Sequence, residues 1–286
     1  MTAKKSQEES KTVKGEGVET VKNEPYTNDK ESGIYTYKIM HFKSRIPKSI
    51  RWALPDKYCH LHEKSWNAYP HYHTVYEDPG LGNDVECSID SWHVPYKKGE
   101  PIPDNLLNLT PDELKIRHIV YLDILDGKPK PNKERDLSKW KCPALNVNKP
   151  FGEYRSDKKS KKDKKDEHEP PDWTNNFDGE MMVAVKVVKL KFHWRGLQSL
   201  VEKYATHTVL HNLFLESHRD LMRWADQWGS MTIDDVHRFE AQTYSATNAL
   251  GFEKDESKSD VEAPQQKPTD VTETEPPESN SDSDSD

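Results

Sequence analysis

The sequence predicts an α+β fold in which a run of antiparallel strands is followed by helices. Residues 33–43, 71–78 and 84–94 are rich in β-branched and aromatic residues and are separated by turn residues, which is typical of strands. A fourth strand is predicted over residues 181–194. Apolar residues with helical spacing follow Gly196 for about thirty residues. We find no internal repeat.

Capping residues mark the start of a short helix in the middle of the chain. Thr110 is a good N-cap, Pro111 fits the first helical position, and Glu113 completes a capping box. We expect this helix to run into a strand near residues 119–124, where the sequence reads IVYLDI.

A second set of signals predicts where the C-terminal helices end and begin. Gly229 is a natural stop for the helix that follows Gly196. Thr232 is a suitable N-cap for a last helix, and Asp234 and Asp235 lie in its first turn, where the helix dipole favours acidic side chains.

Composition divides the chain into a central domain and two polar ends. Residues 253–286 carry twelve acidic and three basic side chains and too few apolar ones to offset their ordering entropy. We expect residues 1–13 and 253–286 to be disordered and residues 14–252 to form one domain. Within it, residues 127–180 are rich in Pro, Lys, Asp and Asn and are predicted to form a long loop.

Several classes of protein are disfavoured by what the sequence lacks. No apolar stretch approaches the roughly 20 residues that cross a bilayer, and no apolar segment follows the first Met as in a secretory signal. Cys59, Cys87 and Cys142 are far apart, which indicates free thiols in a reducing cytosol. Without a GxSxG, Walker or Rossmann motif, an enzyme has little support. The chain without its acidic tail is nearly neutral, so we expect no nucleic-acid partner.

Neither the histidines nor the basic segment provides a clear functional signal. His207 and His211 lie four residues apart on a predicted helix but lack the Glu of an HExxH motif, so no metal site is expected. Residues 158–165, KKSKKDKK, allow three interpretations: a solvated loop, an electrostatic attachment to anionic lipid, or a nuclear-import signal.

Polar residues interrupt the apolar faces of four predicted strands. Because alternate residues of a strand share a face, Thr36 and Lys38 fall on the same face as the apolar side chains around them. Lys186 interrupts an apolar face in the same way, Thr74 lies between two tyrosines, and Ser91 ends an apolar stripe.

Two inward lysines and three inward hydroxyl groups predict a shared anion, because a buried ammonium group is costly unless an anion meets it. The apolar surroundings indicate that an apolar group is attached to this anion. A phospholipid has both parts. The alternative is that each lysine extends along the apolar surface to the rim of the sheet.

Six segments together resemble a known family. They are NEPY at 23–26, YTYKIMH at 35–41, HEKSWNAYP at 62–70, SWHVP at 91–95, VKLKFHWRGLQ at 188–198 and MTIDDVHRFE at 231–240. Their residues and their order along the chain are similar to those of the phosphatidylinositol transfer proteins, from about residue 14 to about residue 245. The resemblance implies a START-like helix-grip fold. In that fold a curved antiparallel sheet and long helices enclose one lipid cavity, and the C-terminal helix acts as a lid.

The resemblance also implies roles for particular residues, with one bound phospholipid as cargo and no other cofactor or metal. The inositol ring would be held by Thr36, Lys38, Asn67 and Glu240. The phosphate would be held by Thr74, Ser91 and Lys186. The membrane would be contacted by Trp194 and Arg195. Asn67 and Glu240 would hydrogen-bond to hydroxyl groups that phosphatidylcholine lacks, and such polar contacts discriminate well between ligands.

Three departures from the family pattern carry predictions of their own. The family has a strand and a helix before the segment at 15–19, and a Gln there reaches the phosphate. This chain begins late, which predicts an exposed sheet edge and a gap in the cavity wall. The family's tryptophan pair is Trp194–Arg195 here. Where the family has a Cys-Arg pair, this chain has Tyr72 and His73. This difference predicts low sensitivity to thiol reagents and altered handling of phosphatidylcholine.

The function implied is transfer of phosphatidylinositol and phosphatidylcholine between membranes. The protein would be a cytoplasmic monomer in transient contact with the Golgi and endoplasmic reticulum, with the nucleus as a further location. One alternative is a lipid-binding or sensing scaffold that transfers lipid inefficiently because the first strand and helix are missing. A third hypothesis is hydrolysis of the bound lipid.

Overall fold

One six-stranded antiparallel sheet organises the protein. The computed structural model describes residues 17–41, 60–80, 82–125, 135–156, 170–193, 202–203 and 205–249. The strands are β1 (Gly17–Thr27), β2 (Ser32–His41), β3 (His60–Ala68), β4 (His71–Glu77), β5 (Val85–Tyr96) and β6 (Met181–Phe192). Each strand pairs with the next one along the chain, so the spatial order is β1 to β6. The predicted α+β class is confirmed.

Four of the five predicted strands match β2, β4, β5 and β6, whereas β1 and β3 were not predicted. The sequence of β1, GVETVKNEPYT, alternates poorly and contains four charged or amide side chains. Its strand conformation comes from backbone pairing with β2 over almost the whole length of both strands. Such pairing does not depend on a side-chain pattern, which is why periodicity missed it.

Helices account for most of the described residues after β6, and one short helix precedes that strand. They are α1 (Pro111–Ile116), α2 (His211–Arg223), α3 (Ala225–Trp228) and α4 (Ile233–Asn248), and a π-helical turn, Ala205–Leu210, precedes α2. Both predicted caps are confirmed, because Thr110 and Thr232 each form a capping box at the start of α1 and α4. Helix α3, which precedes α4, ends at Trp228, one residue before Gly229. This agrees with the prediction that Gly229 stops the helix before the last one.

The strand predicted near residues 119–124 is wrong. Residues 117–123 form no strand, and their polar groups contact other segments instead. The Asp123 carboxylate accepts hydrogen bonds from Arg155 and from the indole of Trp173, at 3.0 Å for the latter. The Ile124 carbonyl accepts from Arg219 of α2 at 2.9 Å. Tertiary contacts therefore replace the strand partner that the apolar run predicted.

Residues 135–156 and 170–180, the described parts of the predicted long loop, contain a compact apolar core. Short 3-10 helices form at Leu137–Lys139, Pro143–Leu145, Phe151–Tyr154 and Asp172–Asn175. The most buried side chains of this core are those of Leu137, Val147, Phe151 and Ala225, at 0–2% exposure. Since Ala225 belongs to α3, this core joins the loop to the C-terminal helices.

Arg135 provides a polar attachment between the same loop and α2. Its Nε and Nη2 donate to the two carboxylate oxygens of Asp220, each at 2.9 Å, and Nη1 donates to Glu216 at 2.7 Å. Asp220 is 1% exposed. Removing one partner of such a buried pair leaves a charge uncompensated and typically costs 3–5 kcal/mol.

Some sequence predictions fall on parts of the chain outside the described residues. These are the terminal segments 1–13 and 253–286, the basic segment 158–165 and the thiol of Cys59. Cys87 and Cys142 are free thiols. None of the helices in the described part of the chain is both long and apolar enough to cross a membrane.

Candidate functional site

Cross-strand register brings six of the seven predicted head-group residues onto one face of the sheet. Residues directly opposite each other on paired strands share a face. The first row consists of Ile34, Asn67, Tyr72, Ser91 and Lys186. The second row consists of Thr36, Ser65, Thr74, Ile89 and Val188. The third row consists of Lys38, Glu63, Tyr76, Cys87 and Leu190. We name this surface the helix face, because side chains of α2 and α4 approach it.

Lys186 lies at the β6 end of the first row, under α2. Its ammonium donates to the Ser91 hydroxyl at 2.9 Å and lies 5.7 Å from the centre of the Phe214 ring. Within the described ranges it forms no salt bridge. Burial lowers the pKa of Lys186 because the charged form loses hydration. A buried ammonium without a carboxylate is suited to bind an external anion.

Two histidines that the sequence reasoning missed flank Lys186. Burial and the charge of Lys186 together lower the pKa of His93 on β5 and of His218 on α2. The Nδ1 of His218 donates to the carbonyl of Phe214 at 2.7 Å, which leaves Nε2 as the acceptor of the neutral ring. No sequence motif connects these residues, because they meet only after α2 folds over the sheet.

Hydroxyl and amide groups fill the middle of the helix face. The hydroxyl groups of Ser65 and Thr74 hydrogen-bond at 2.9 Å. The Asn67 amide donates to the Ile34 carbonyl at 3.0 Å and reaches the Thr36 hydroxyl at 3.5 Å. Its Oδ1 makes no hydrogen bond to the described residues, so the acceptor remains available to a ligand.

Gly33 allows the strand that carries Asn67 to approach β2 closely. A Cβ atom at position 33 would lie 2.1 Å from the Asn67 carbonyl oxygen, a distance at which the backbone itself would have to move. A glycine is therefore required at this position to keep Asn67 in the first row.

Lys38 lies in the third row, beneath α4. Its ammonium donates to Glu63 at 3.3 Å, and both side chains are 15% exposed. Burial lowers the pKa of Lys38, but Glu63, Tyr244 and Glu240 together outweigh burial, so the net shift is upward. Glu240, the seventh predicted residue, thus acts on the same ammonium from α4.

The C-terminal end of α4 is attached to the edge of the sheet. The Asn248 side chain accepts from the Thr20 amide at 2.9 Å and donates to the Thr20 carbonyl at 2.7 Å. Thr20 lies opposite Lys38, and the β1–β2 register shifts just after it. At this position the outward backbone groups of β1 are satisfied by α4, although β1 is the edge strand.

The comparisons with known proteins identify one family. The sequence model of the family described as "Phosphatidylinositol transfer protein" matches residues 1–245. The chain belongs to the phosphatidylinositol transfer protein family. Phosphatidylinositol transfer protein 2 of Dictyostelium discoideum is 33% identical to it over 244 residues, or 85% of each chain.

Other members of the family are similarly close. The beta isoform of phosphatidylinositol transfer protein from Bos taurus is 35% identical over 234 residues, which cover 82% of this chain and 81% of the relative. Phosphatidylinositol transfer protein 1 of Dictyostelium discoideum is 34% identical over 257 residues, or 90% of this chain and 89% of the relative. The resemblance predicted from the sequence is confirmed.

The pair that stands in place of the family's Cys-Arg divides between the two faces. Tyr72 lies in the first row between Asn67 and Ser91. His73 lies on the other face, where it hydrogen-bonds to Asp90 at 2.6 Å. A different thiol, Cys87, is on the helix face, and burial raises its pKa to about 11. Low sensitivity to thiol reagents therefore stays a prediction, and the raised thiol pKa supports it.

Two other predictions concern metal binding and membrane contact. Across the described ranges, no group of three or more His, Cys, Asp or Glu side chains is placed to hold a metal ion. Trp194 and Arg195, predicted to contact the membrane, lie outside the described residues.

Proposed function

We propose that this protein holds one phosphatidylinositol molecule between the helix face and the helices α2 and α4, and transfers it between membranes. Two lysines on one face, each covered by a different helix, carry this proposal. Its fold would then be the START-like helix-grip, with α4 as the lid. Phosphatidylcholine would be the exchange partner, carried in the same cavity by a cytoplasmic monomer that contacts the Golgi and endoplasmic reticulum only during exchange.

Each end of the helix face suits one part of the lipid head group. The phosphate would lie near Lys186, Ser91 and Thr74, where an ammonium lacks a carboxylate partner among the described residues. The inositol ring would contact Thr36, Lys38, Asn67 and Glu240. Hydroxyl groups both donate and accept, so a ring that carries several of them matches a site with amide, ammonium and carboxylate groups.

The sheet must curve for one head group to reach both lysines. Lys38 and Lys186 are on β2 and β6, and four strand spacings of about 4.8 Å would separate them by roughly 19 Å in a flat sheet. Curvature of the sheet, together with the length of the lysine side chains, would shorten this gap. The proposal therefore requires both ammonium groups to point toward the same enclosed volume.

Loading of the purified protein with lipid tests the proposal. We expect mass spectrometry of the co-purified lipid to find phosphatidylinositol and phosphatidylcholine in the wild-type protein. Thr36→Ala and Lys38→Ala should lose phosphatidylinositol and keep phosphatidylcholine, because only the former has ring hydroxyl groups. Lys64→Ala is the matched control, since Lys64 neighbours the site on β3 but pairs with Glu77 on the other face.

Transfer between vesicles separates the carrier from the alternatives. A carrier moves labelled phosphatidylinositol from donor to acceptor vesicles, whereas a lipid-binding scaffold takes it up and retains it. A hydrolase would release a water-soluble product in the same assay. Equal loss of both lipids in Lys38→Ala would show that the assignment of the ring site is wrong.

A further inference from the structure

His93 lies on the helix face, beside the β6 end of the first row. It is two residues beyond Ser91 on β5 and opposite Ala184 of β6. The ring of Tyr72, a first-row residue of β4, packs edge-on against the His93 ring, with 4.9 Å between the ring centres. This position makes His93 a neighbour of Ser91 and Lys186, the pair proposed to bind the lipid phosphate.

One nitrogen of the His93 ring has no partner. Its Nδ1 atom is buried and makes no hydrogen bond within the described part of the chain. Such atoms are uncommon in folded proteins, because burial removes their hydration without compensation. The ring of His218 differs, since its Nδ1 already donates to the Phe214 carbonyl at 2.7 Å. His93 therefore has a nitrogen available to a ligand, next to the proposed position of the phosphate.

The surroundings of His93 keep its ring neutral. Burial first, and then the charge of Lys186, lower the pKa of His93, and the Pro70 carbonyl only partly offsets them. His218 on α2 acts in the same direction as Lys186. Because the pKa falls below its ordinary value of about 6.5, the ring is mostly neutral at pH 7 while no anion is bound.

The acidic groups of the neighbouring elements contact other residues. On β5, Asp90 lies on the opposite face of the sheet. On α2, Glu216 and Asp220 accept hydrogen bonds from Arg135. Burial raises the pKa of Tyr72 on β4, so that phenol stays neutral. None of these groups supplies His93 with a negative charge, whereas a lipid phosphate would.

A phosphate beside Lys186 would reverse this balance. A nearby anion favours the charged imidazole and typically raises its pKa by about 1–3. We propose that His93 is a proton-linked residue of the phosphate site: its ring takes up one proton from solvent when a lipid phosphate binds, and the imidazolium donates to a phosphate oxygen through Nδ1. This inference rests on the proposed binding of phospholipid and adds to it a coupling between lipid loading and pH.

Proton uptake determines how loading depends on pH. The ring is neutral before loading and charged after it, so the affinity for lipid should rise as pH falls through the pKa of the loaded protein. A phosphodiester lacks the second ionisation of a phosphomonoester, whose pKa is about 6, so the lipid itself contributes no such change. Phosphatidylinositol and phosphatidylcholine contain the same phosphodiester, so their affinities should change by the same factor.

Calorimetric titration of the lipid-free protein with dioctanoyl phosphatidylinositol tests this coupling. We expect the affinity to be about 10-fold higher at pH 6 than at pH 8. In buffers of different ionisation enthalpy at pH 6.5, roughly half a proton or more should be taken up per lipid bound. Dioctanoyl phosphatidylcholine should give the same pH dependence.

His93→Gln keeps an amide donor but cannot be protonated near neutral pH. It should bind both lipids with nearly equal affinity at pH 6 and pH 8 and should lose most of the proton uptake. His237→Gln is the matched control, because it removes an exposed histidine of α4 and should behave like the wild-type protein. Wild-type proton uptake in a folded His93→Gln would overturn the role of His93.

His218→Gln provides a second variant if His93→Gln fails to fold. It should keep most of the proton uptake, and loss of the uptake in His218→Gln would assign the proton to that residue instead of His93. A wild-type affinity that does not change with pH would overturn the coupling and leave the proposed function intact. A wild-type protein that binds neither lipid at either pH would overturn the proposed function, and this inference with it.

Discussion

The two faces of the sheet treat their charged side chains differently. On the face opposite the helix face, acidic and basic groups satisfy each other: His73 donates to Asp90 at 2.6 Å, and Lys64 donates to Glu77 at 2.7 Å. On the helix face, Lys186 has a single hydroxyl partner among the described residues. The charged groups named on the opposite face are paired within the protein, whereas Lys186 retains binding capacity for an anionic ligand.

Histidines show the same contrast through opposite pKa shifts. On the opposite face, the neighbouring carboxylates of Asp90 and Glu31 outweigh burial and raise the pKa of His71. Near Lys186, burial and the lysine charge lower the pKa of His93 and His218. Carboxylates that stabilise a charged imidazole are present on the opposite face, whereas none of the described residues supplies one to His93 or His218. An anionic ligand would supply that missing charge.

The largest effect is expected from removing the ammonium of Lys186 on the helix face. Lys186→Ala should reduce loading of both phosphatidylinositol and phosphatidylcholine by about 100-fold or more, because both lipids lose the partner of their phosphate. Lipid bound per protein, quantified by mass spectrometry, measures the loss.

The matched control for this variant is on the same strand. Lys189→Ala removes an ammonium on the opposite face that pairs with Glu113 at 2.5 Å, and it should load normally. Normal loading of Lys186→Ala would place the phosphate elsewhere and remove the proposed difference between the faces.

A smaller effect, on stability rather than lipid binding, is expected on the opposite face. The neighbouring rings of His71 and His73 outweigh burial and hold the pKa of Asp90 far below its usual value. The stability it contributes is present above the ordinary pKa of about 3.9 and is lost as pH falls through the folded value. Asp90→Asn should lower the free energy of unfolding at pH 7 by about 2–3 kcal/mol, measured with urea.

The ratio of bound phosphatidylinositol to phosphatidylcholine should not change in Asp90→Asn. Glu86→Gln, an exposed acid on the same strand and face, is the control and should unfold like the wild-type protein. A change in the phosphatidylinositol-to-phosphatidylcholine ratio of Asp90→Asn would show that the two faces are coupled.

Two histidine variants should change the pH dependence of stability in opposite ways. His218 has a lowered folded pKa, so its contribution is complete above about 6.5 and is lost as pH falls below that value. His71 has a raised folded pKa, so its contribution is complete below about 6.5 and is lost as pH rises through the folded value. Urea unfolding of the lipid-free protein from pH 5 to pH 9 measures both.

We expect His218→Gln to reduce the acid-side loss of stability and His71→Gln to reduce the alkaline-side loss. Identical pH profiles for both variants and the wild-type protein would contradict the electrostatic difference between the faces.

The smallest effect is expected where α4 meets the edge of the sheet. Asn248→Ala removes two hydrogen bonds to Thr20 that are exposed to solvent, worth about 1 kcal/mol together. Release of a fluorescent phosphatidylinositol should become a few-fold faster in stopped-flow measurements. Gln242→Ala, a substitution at an exposed position of the same helix, should release lipid at the wild-type rate. Equal release rates in Asn248→Ala and Gln242→Ala would show that this attachment does not limit the opening of α4.

Strand periodicity was sufficient to predict which polar residues share a face. The alternation that grouped Thr36 with Lys38 and isolated Lys186 needs only the two-residue repeat of a strand. Glu63, His93 and His218 were missed because their roles depend on register and on the docking of α2 and α4. The local sequence specifies neither the strand register nor the docking of these helices.

Composition was a weaker guide to the rest of the fold. The polar sequence of β1 concealed a strand, and the apolar run at 119–124 predicted a strand that tertiary contacts replaced. The core around Phe151 was also missed, because its aromatic residues are scattered among Pro and Lys residues and lack a helical or strand repeat. Each miss occurs where contacts distant in sequence decide the local structure.

A crystal structure of the protein loaded with phosphatidylinositol tests the central claim most directly. We expect the Lys186 ammonium about 2.7–2.9 Å from a phosphate oxygen, and the Lys38 ammonium hydrogen-bonded to a hydroxyl of the same head group. A head group bound away from the helix face, or lysines too far apart to contact one lipid, would contradict it.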